Sequence, residues 1–137
     1  MKRFLLIVLV LSVLVSLSIP VMATGGAQTV TPRYTCINTL NARLAIDERF
    51  GLAACNTNAG FSGGSSMVLT CKLQQYNGST WVTLKSWSES SAYSIAINKN
   101  YAVASGHKYR LKVSCSVYNS SGVLLDSGYL YSNEVVY

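Results

Sequence analysis

Residues 109–118 alternate without a break, and that alternation limits the chain more than anything else in it. Tyr109, Leu111, Val113, Cys115 and Val117 fall on one side, and Arg110, Lys112, Ser114, Ser116 and Tyr118 on the other. Successive side chains of a strand point to opposite faces, so this is a strand with one buried and one wet face. Such a strand is unstable alone and needs both a sheet and a second layer over its apolar side. Further segments rich in Val, Ile, Thr, Tyr and Trp recur between Gly/Ser/Asn clusters, the pattern of an all-β sandwich.

Residues 67–76 place Met67, Leu69, Cys71 and Leu73 on one face and Thr70, Lys72 and Gln74 on the other. Asn77-Gly78 follows as a hairpin signal, because both residue types tolerate positive φ. The return strand, 81–88, sets Val82 and Leu84 against Trp81, Thr83, Lys85 and Trp87. Tyr93, Ile95 and Ile97 line one side of a further strand, and the last hairpin turns at Asn119-Ser120-Ser121-Gly122. Residues 59–66 are Gly/Ser-rich and read as a mobile loop. In 39–50 the residues Leu40, Ala42, Leu44 and Ile46 alternate as in a strand, although the composition also suits a helix that Gly51 would cap. The strand is preferred, since a lone helix fits this pattern poorly.

The N-terminus carries an address. Lys2 and Arg3 precede an apolar run from Phe4 to Ile19, Pro20 ends it, and Val21-Met22-Ala23 supplies small residues for a peptidase. This is the form of a secretory signal peptide, residues 1–23, cleaved after Ala23. The run falls short of the ~20 residues a membrane span needs. Polar residues 24–33 form a flexible lead-in, and residues 34–137 the sandwich domain. With no C-terminal apolar tail, the expected product is secreted and extracellular, without a stable membrane anchor.

Of the 11 Lys and Arg, two lie in the leader; the other nine face five acids, a mild excess spread along the chain. No block of cations tracks phosphates, so nucleic acid is not an expected partner. Catalysis is not expected either. His107 is the single histidine, the acids Asp47, Glu48, Glu89, Asp126 and Glu134 are scattered, and no nucleophile elbow occurs. His107 reads as a turn residue, and Asp47-Glu48 as a charged turn rather than half a calcium site. No metal or cofactor is implied. Asn77-Gly78-Ser79 and Asn119-Ser120-Ser121 match the glycosylation acceptor, but turn chemistry accounts for both.

Val103-Ala104-Ser105-Gly106-His107-Lys108-Tyr109 has the spacing of the fibronectin-type-III corner, with Gly106 and Tyr109 at the matching positions and Val103 and Ser105 replacing Leu and Pro. Cys36, Leu44-Ala45-Ile46, Cys55, residues 81–87 and residues 106–110 extend the likeness. The chain resembles small secreted immunoglobulin/fibronectin-like proteins of clostridial-type Gram-positive bacteria, a group without assigned activity. The resemblance implies a two-sheet sandwich of about seven antiparallel strands. The even count of cysteines in a small exported chain, Cys36, Cys55, Cys71 and Cys115, reads as two disulfides rather than a metal site. Strands equivalent to C and F are sheet neighbours in such proteins, which favours Cys36–Cys55 with Cys71–Cys115. The rival is an antibody-type Cys55–Cys115 bond with Cys36–Cys71.

Lys72, Trp81, Lys85, Trp87, Lys108, Arg110 and Lys112 fall on outward positions of three neighbouring strands, with Tyr129 and Tyr131 beside them if the last strand has the right register. Aromatic faces stack on sugars and cations hold acidic groups, so this surface suits a glycan or anionic wall polymer. The structural alternative is that Lys and Arg stems merely cover the aromatics. A β-bulge would instead turn either tryptophan into the core edge. The expected role is a non-catalytic binding module for an extracellular ligand, carbohydrate or another surface protein. A protease inhibitor inserting loop 59–66, or a small bacteriocin-like effector, are the alternatives.

Overall fold

The computed structural model describes residues 34–137, so the expected leader and lead-in lie outside the described residues. Eight strands follow in order: β1 (Ile37–Asp47), β2 (Leu52–Phe61), β3 (Ser66–Tyr76), β4 (Trp81–Ser91), β5 (Ile95–Ala102), β6 (Lys108–Tyr118), β7 (Leu124–Tyr131) and the short β8 (Val135–Val136). They form two antiparallel sheets, β1-β2-β5 and β4-β3-β6-β7, with β8 also paired to β6. Seven main strands in two layers make the all-β sandwich that the alternation required.

Inward rows from both sheets fill the core. Met67, Leu69, Cys71 and Leu73 of β3 face Leu44, Ala53, Cys55 and Ile97 of the other layer, while all five odd positions of β6 are fully or almost fully buried. Residues 39–47 resolve as strand and 48–50 as the turn after it, because Leu44 and Ile46 pack on this core where a helix would have turned half its apolar residues away.

Three loops differ from the sequence-based reading. Tyr93 is exposed in the turn before β5 rather than aligned with Ile95 and Ile97. In the 77–80 turn only Gly78 takes positive φ (+96°). Asn77 contributes through its side chain instead, its Oδ1 accepting the N–H of Ser79 (3.0 Å) and Thr80 (2.8 Å). Segment 59–66 is not a free loop: β2 runs to Phe61, Ser62 N–H donates to Cys36 O (2.9 Å) and Ser65 N–H to Tyr118 O (2.8 Å).

Side chains join the layers along one side. Asp126 of β7 accepts the N–H groups of Cys36 (2.7 Å) and Ile37 (3.2 Å), fixing the entry to β1. At the break between β7 and β8, Ser132 stays in the sheet, its Oγ accepting Leu111 N–H at 2.8 Å. Asn133 turns to the other layer. Its Oδ1 accepts Leu44 N–H (3.1 Å) and its Nδ2 donates to Leu44 O (2.9 Å), so one side-chain amide pairs with the open edge of β1 as a strand residue would. Asn133→Ala strands both groups of Leu44 and is expected to lower stability by about 1–3 kcal/mol, measured by urea unfolding.

Asp126 also sets an acid limit. The N–H of Cys36, then those of Ile37, Thr35 and Ser127, hold its carboxyl below the ordinary carboxylate range despite some burial. A group depressed in the folded state stabilises above its unfolded pKa of about 3.9 and loses that contribution as pH falls through its folded value. Melting temperatures recorded from pH 5 downward are therefore expected to fall more steeply for the natural chain than for Asp126→Asn.

Candidate functional site

The outer face of the larger, five-stranded sheet carries a ladder of cations and aromatic rings. Registers place Tyr76 between Trp81 and Lys108, Gln74 between Thr83 and Arg110, and Lys72 between Ser86 and Lys112, with Tyr131 beyond Lys112. Arg110 is its centre. The guanidinium lies 4.1 Å from the Trp81 ring and 3.9 Å from the Tyr131 ring, and its Nε donates to Gln74 Oε1 at 3.0 Å. Lys108 sits over Tyr76 (5.8 Å), Lys112 over Tyr129 (5.5 Å), and the Tyr129 and Tyr131 rings meet edge to face.

This geometry follows from pairing. Even-numbered residues of β6 point outward, and their neighbours in adjoining strands share that face. The ring–cation–ring stack fixes the Arg110 plane, while the terminal nitrogens retain donors in a fixed fork. Glu134 is 3.4 Å from Lys108. Lys72, Arg110 and Lys112 form no salt bridge among the described residues. Beside the ladder lies a row of hydroxyls, in which Thr70 and Ser88 are 2.9 Å apart.

Trp87 and Lys85 do not belong to this face. The β3–β4 register slips between Leu73 and Gln74, so Leu73 pairs with Lys85 but Gln74 with Thr83, leaving Leu84 as the extra residue of a bulge. Trp81 and Thr83 stay outward, whereas Trp87 pairs with inward Cys71, packs on the core and meets Tyr101 edge to face at 6.3 Å. Lys85 pairs with inward Leu73 and remains exposed at the sheet's edge. Equal spacing in sequence therefore does not mean one face here. Tyr129 and Tyr131 do join the ladder, as do Gln74 and Tyr76, which the sequence did not single out.

The corner behind β6 is formed as its spacing suggests. Gly106 has φ +82°, and buried Tyr109 donates its hydroxyl to Ala104 O at 2.5 Å. Burial raises the Tyr109 pKa, partly offset by that bond. His107 serves the same region through its backbone, pairing with Tyr137 in both directions at 3.0 Å. Asp47 closes the β1–β2 turn by accepting Arg49 N–H at 3.0 Å.

The expected disulfides are absent: Cys36, Cys55, Cys71 and Cys115 are free thiols in the structure. Register explains why the favoured pairs fail. Cys55 pairs with Leu44, eight residues along from Cys36, which separates those two by roughly 25 Å where a bond tolerates less than about 7 Å. Cys71 pairs with Val113 and Cys115 with Leu69, so these two are diagonal neighbours, with backbones about 7–8 Å apart.

A second surface was missed. Asn41, Arg43, Asn56, Asn58 and Asn98 line an open trough of about 570 Å³ on the outer face of β1-β2-β5, where the Asn41 and Asn58 amides are bonded at 3.0 Å. Its signal was alternation of Asn with buried residues in β2. No family model matches this chain, and neither the curated proteins nor the solved structures yield a match.

The stack predicts coupling. A double-mutant cycle on Trp81→Ala and Arg110→Ala, read by urea unfolding, is expected to give an interaction of about 0.5–2 kcal/mol.

Proposed function

We propose that this chain is an exported, non-catalytic immunoglobulin/fibronectin-like binding module whose ligand is an anionic glycan or wall polymer. The β1-β2-β5 and β4-β3-β6-β7 order and the Tyr109 corner support the fold-family reading. The leader-like residues 1–23 support export. The observation that carries the ligand class is Arg110 held between two rings with its fork pre-oriented.

Binding then proceeds without covalent chemistry. The Arg110 fork takes a carboxylate or phosphodiester oxygen in charge-assisted hydrogen bonds, and its orientation lowers the entropy lost on engagement. Lys72 and Lys112 extend the positive strip along a polymer. Tyr129 and Tyr131, both substantially exposed, offer ring faces to sugars. The inhibitor alternative is weaker, because segment 62–65 is tied to Cys36 and Tyr118 and does not project.

Polyglycerol-phosphate teichoic acid and polygalacturonate are the probes, titrated calorimetrically at low salt, with a neutral glucan alongside. Arg110→Ala is expected to weaken binding about tenfold or more, the loss of one charge-assisted contact, while Arg43→Ala on the opposite face leaves it unchanged. Equal affinity of Arg110→Ala and the natural chain would remove this surface from consideration.

A further inference from the structure

The four thiols are distributed in two spatial pairs, neither of which matches strand neighbours. Cys55 and Cys71 both point inward, from β2 of one sheet and β3 of the other, and both are fully buried. The Trp87–Tyr101 contact fixes how the layers overlap: Trp87 pairs with Cys71, and Tyr101 pairs with Ala53, one inward step from Cys55. Cys55 and Cys71 thus face each other across the core.

Cys36 lies at the far end. Its N–H meets Asp126, the register partner of Val117, and the Tyr34 ring lies where a side chain on Gly128, the partner of Cys115, would stand. Residues 34–36 therefore cross the inner side of β7 beside the row that contains Cys115. Cys36 is also packed against the core that Cys115 lines.

We infer that oxidation joins Cys55 to Cys71 across the two sheets and Cys36 to Cys115 at the edge. Each bond forms when a thiolate attacks a disulfide donor such as oxidised glutathione and the second cysteine resolves the mixed disulfide. Two thiols lose two protons and two electrons, and the donor is reduced to two thiols. Burial raises Cys55 to about 12, with the nearby Cys71 charge adding to it, and raises Cys71 to about 11. Cys115 is also pushed up to about 11, by burial and then by the charge of Asp126. Thiols held this far from the thiolate react slowly once folded, so the bonds form during folding.

Tryptic mapping separates the three connectivities. Cleavage after Arg33, Arg43, Arg49, Lys72 and Lys112 leaves Cys55 and Cys71 together in peptide 50–72, Cys36 in 34–43 and Cys115 in 113–137. The full chain is refolded from its reduced, denatured state in a glutathione redox buffer, alkylated and digested without reduction. The expected result is peptide 50–72 lighter by two hydrogens and unlinked, with 34–43 joined to 113–137. Both other connectivities tie all three peptides into one species, and that result overturns the inference. So does recovery of four alkylated cysteines from the refolded, monomeric chain. Near-ultraviolet circular dichroism on the same sample verifies native packing before digestion.

Discussion

The edge of β1 is where two stacked sheets become one domain. Asp126 holds its first N–H groups and Asn133 pairs with Leu44 at its middle, each reaching from the opposite layer across about ninety residues of sequence. The Tyr137 hydroxyl adds a third tie, donating to Glu48 O at 3.2 Å. Sheet-on-sheet packing is otherwise non-directional, and apolar faces alone tolerate sliding. These hydrogen bonds fix one relative position of the layers, and with it the overlap of Ala53 and Cys55 on Cys71.

A fixed overlap lets the two outer faces differ in character. One bears the Arg110 ladder, rich in rings and cations; the other bears asparagines, alanines and Arg43 around an open trough. In the ladder, packing and the proposed recognition draw on the same side chain, Arg110. Stacking between Trp81 and Tyr131 satisfies the faces of the guanidinium, whereas a ligand would need only its edge. Structural and binding roles for Arg110 are thus compatible, since they draw on different directions of one planar group.

What sequence made legible was whatever depends on parity within a strand. The alternation of 109–118 placed every β6 side chain correctly, and the inward row Met67, Leu69, Cys71, Leu73 was equally plain. The Gly106–Tyr109 corner was visible because its geometry is local. Trp87 was assigned to the outer face because one bulge at Leu84 inverts parity, and no residue in 81–88 announces it. The expected cysteine bonds are absent for a related reason: register along the strands holds Cys36 far from Cys55 and sets Cys71 diagonal to Cys115, and no single strand's parity carries that register. Asp126 read only as one of five scattered acids and Asn133 was not singled out, since nothing nearby in sequence marks their partners.

The bulge in β4 has an effect beyond the tryptophan it redirects. β4 ends its sheet, and an outermost strand with regular spacing exposes a row of amide groups on which a foreign chain can add. The extra residue at Leu84 breaks that spacing midway, and Lys85 sets a charge beside the break. Growth of this sheet by strand addition at its β4 edge is thereby discouraged.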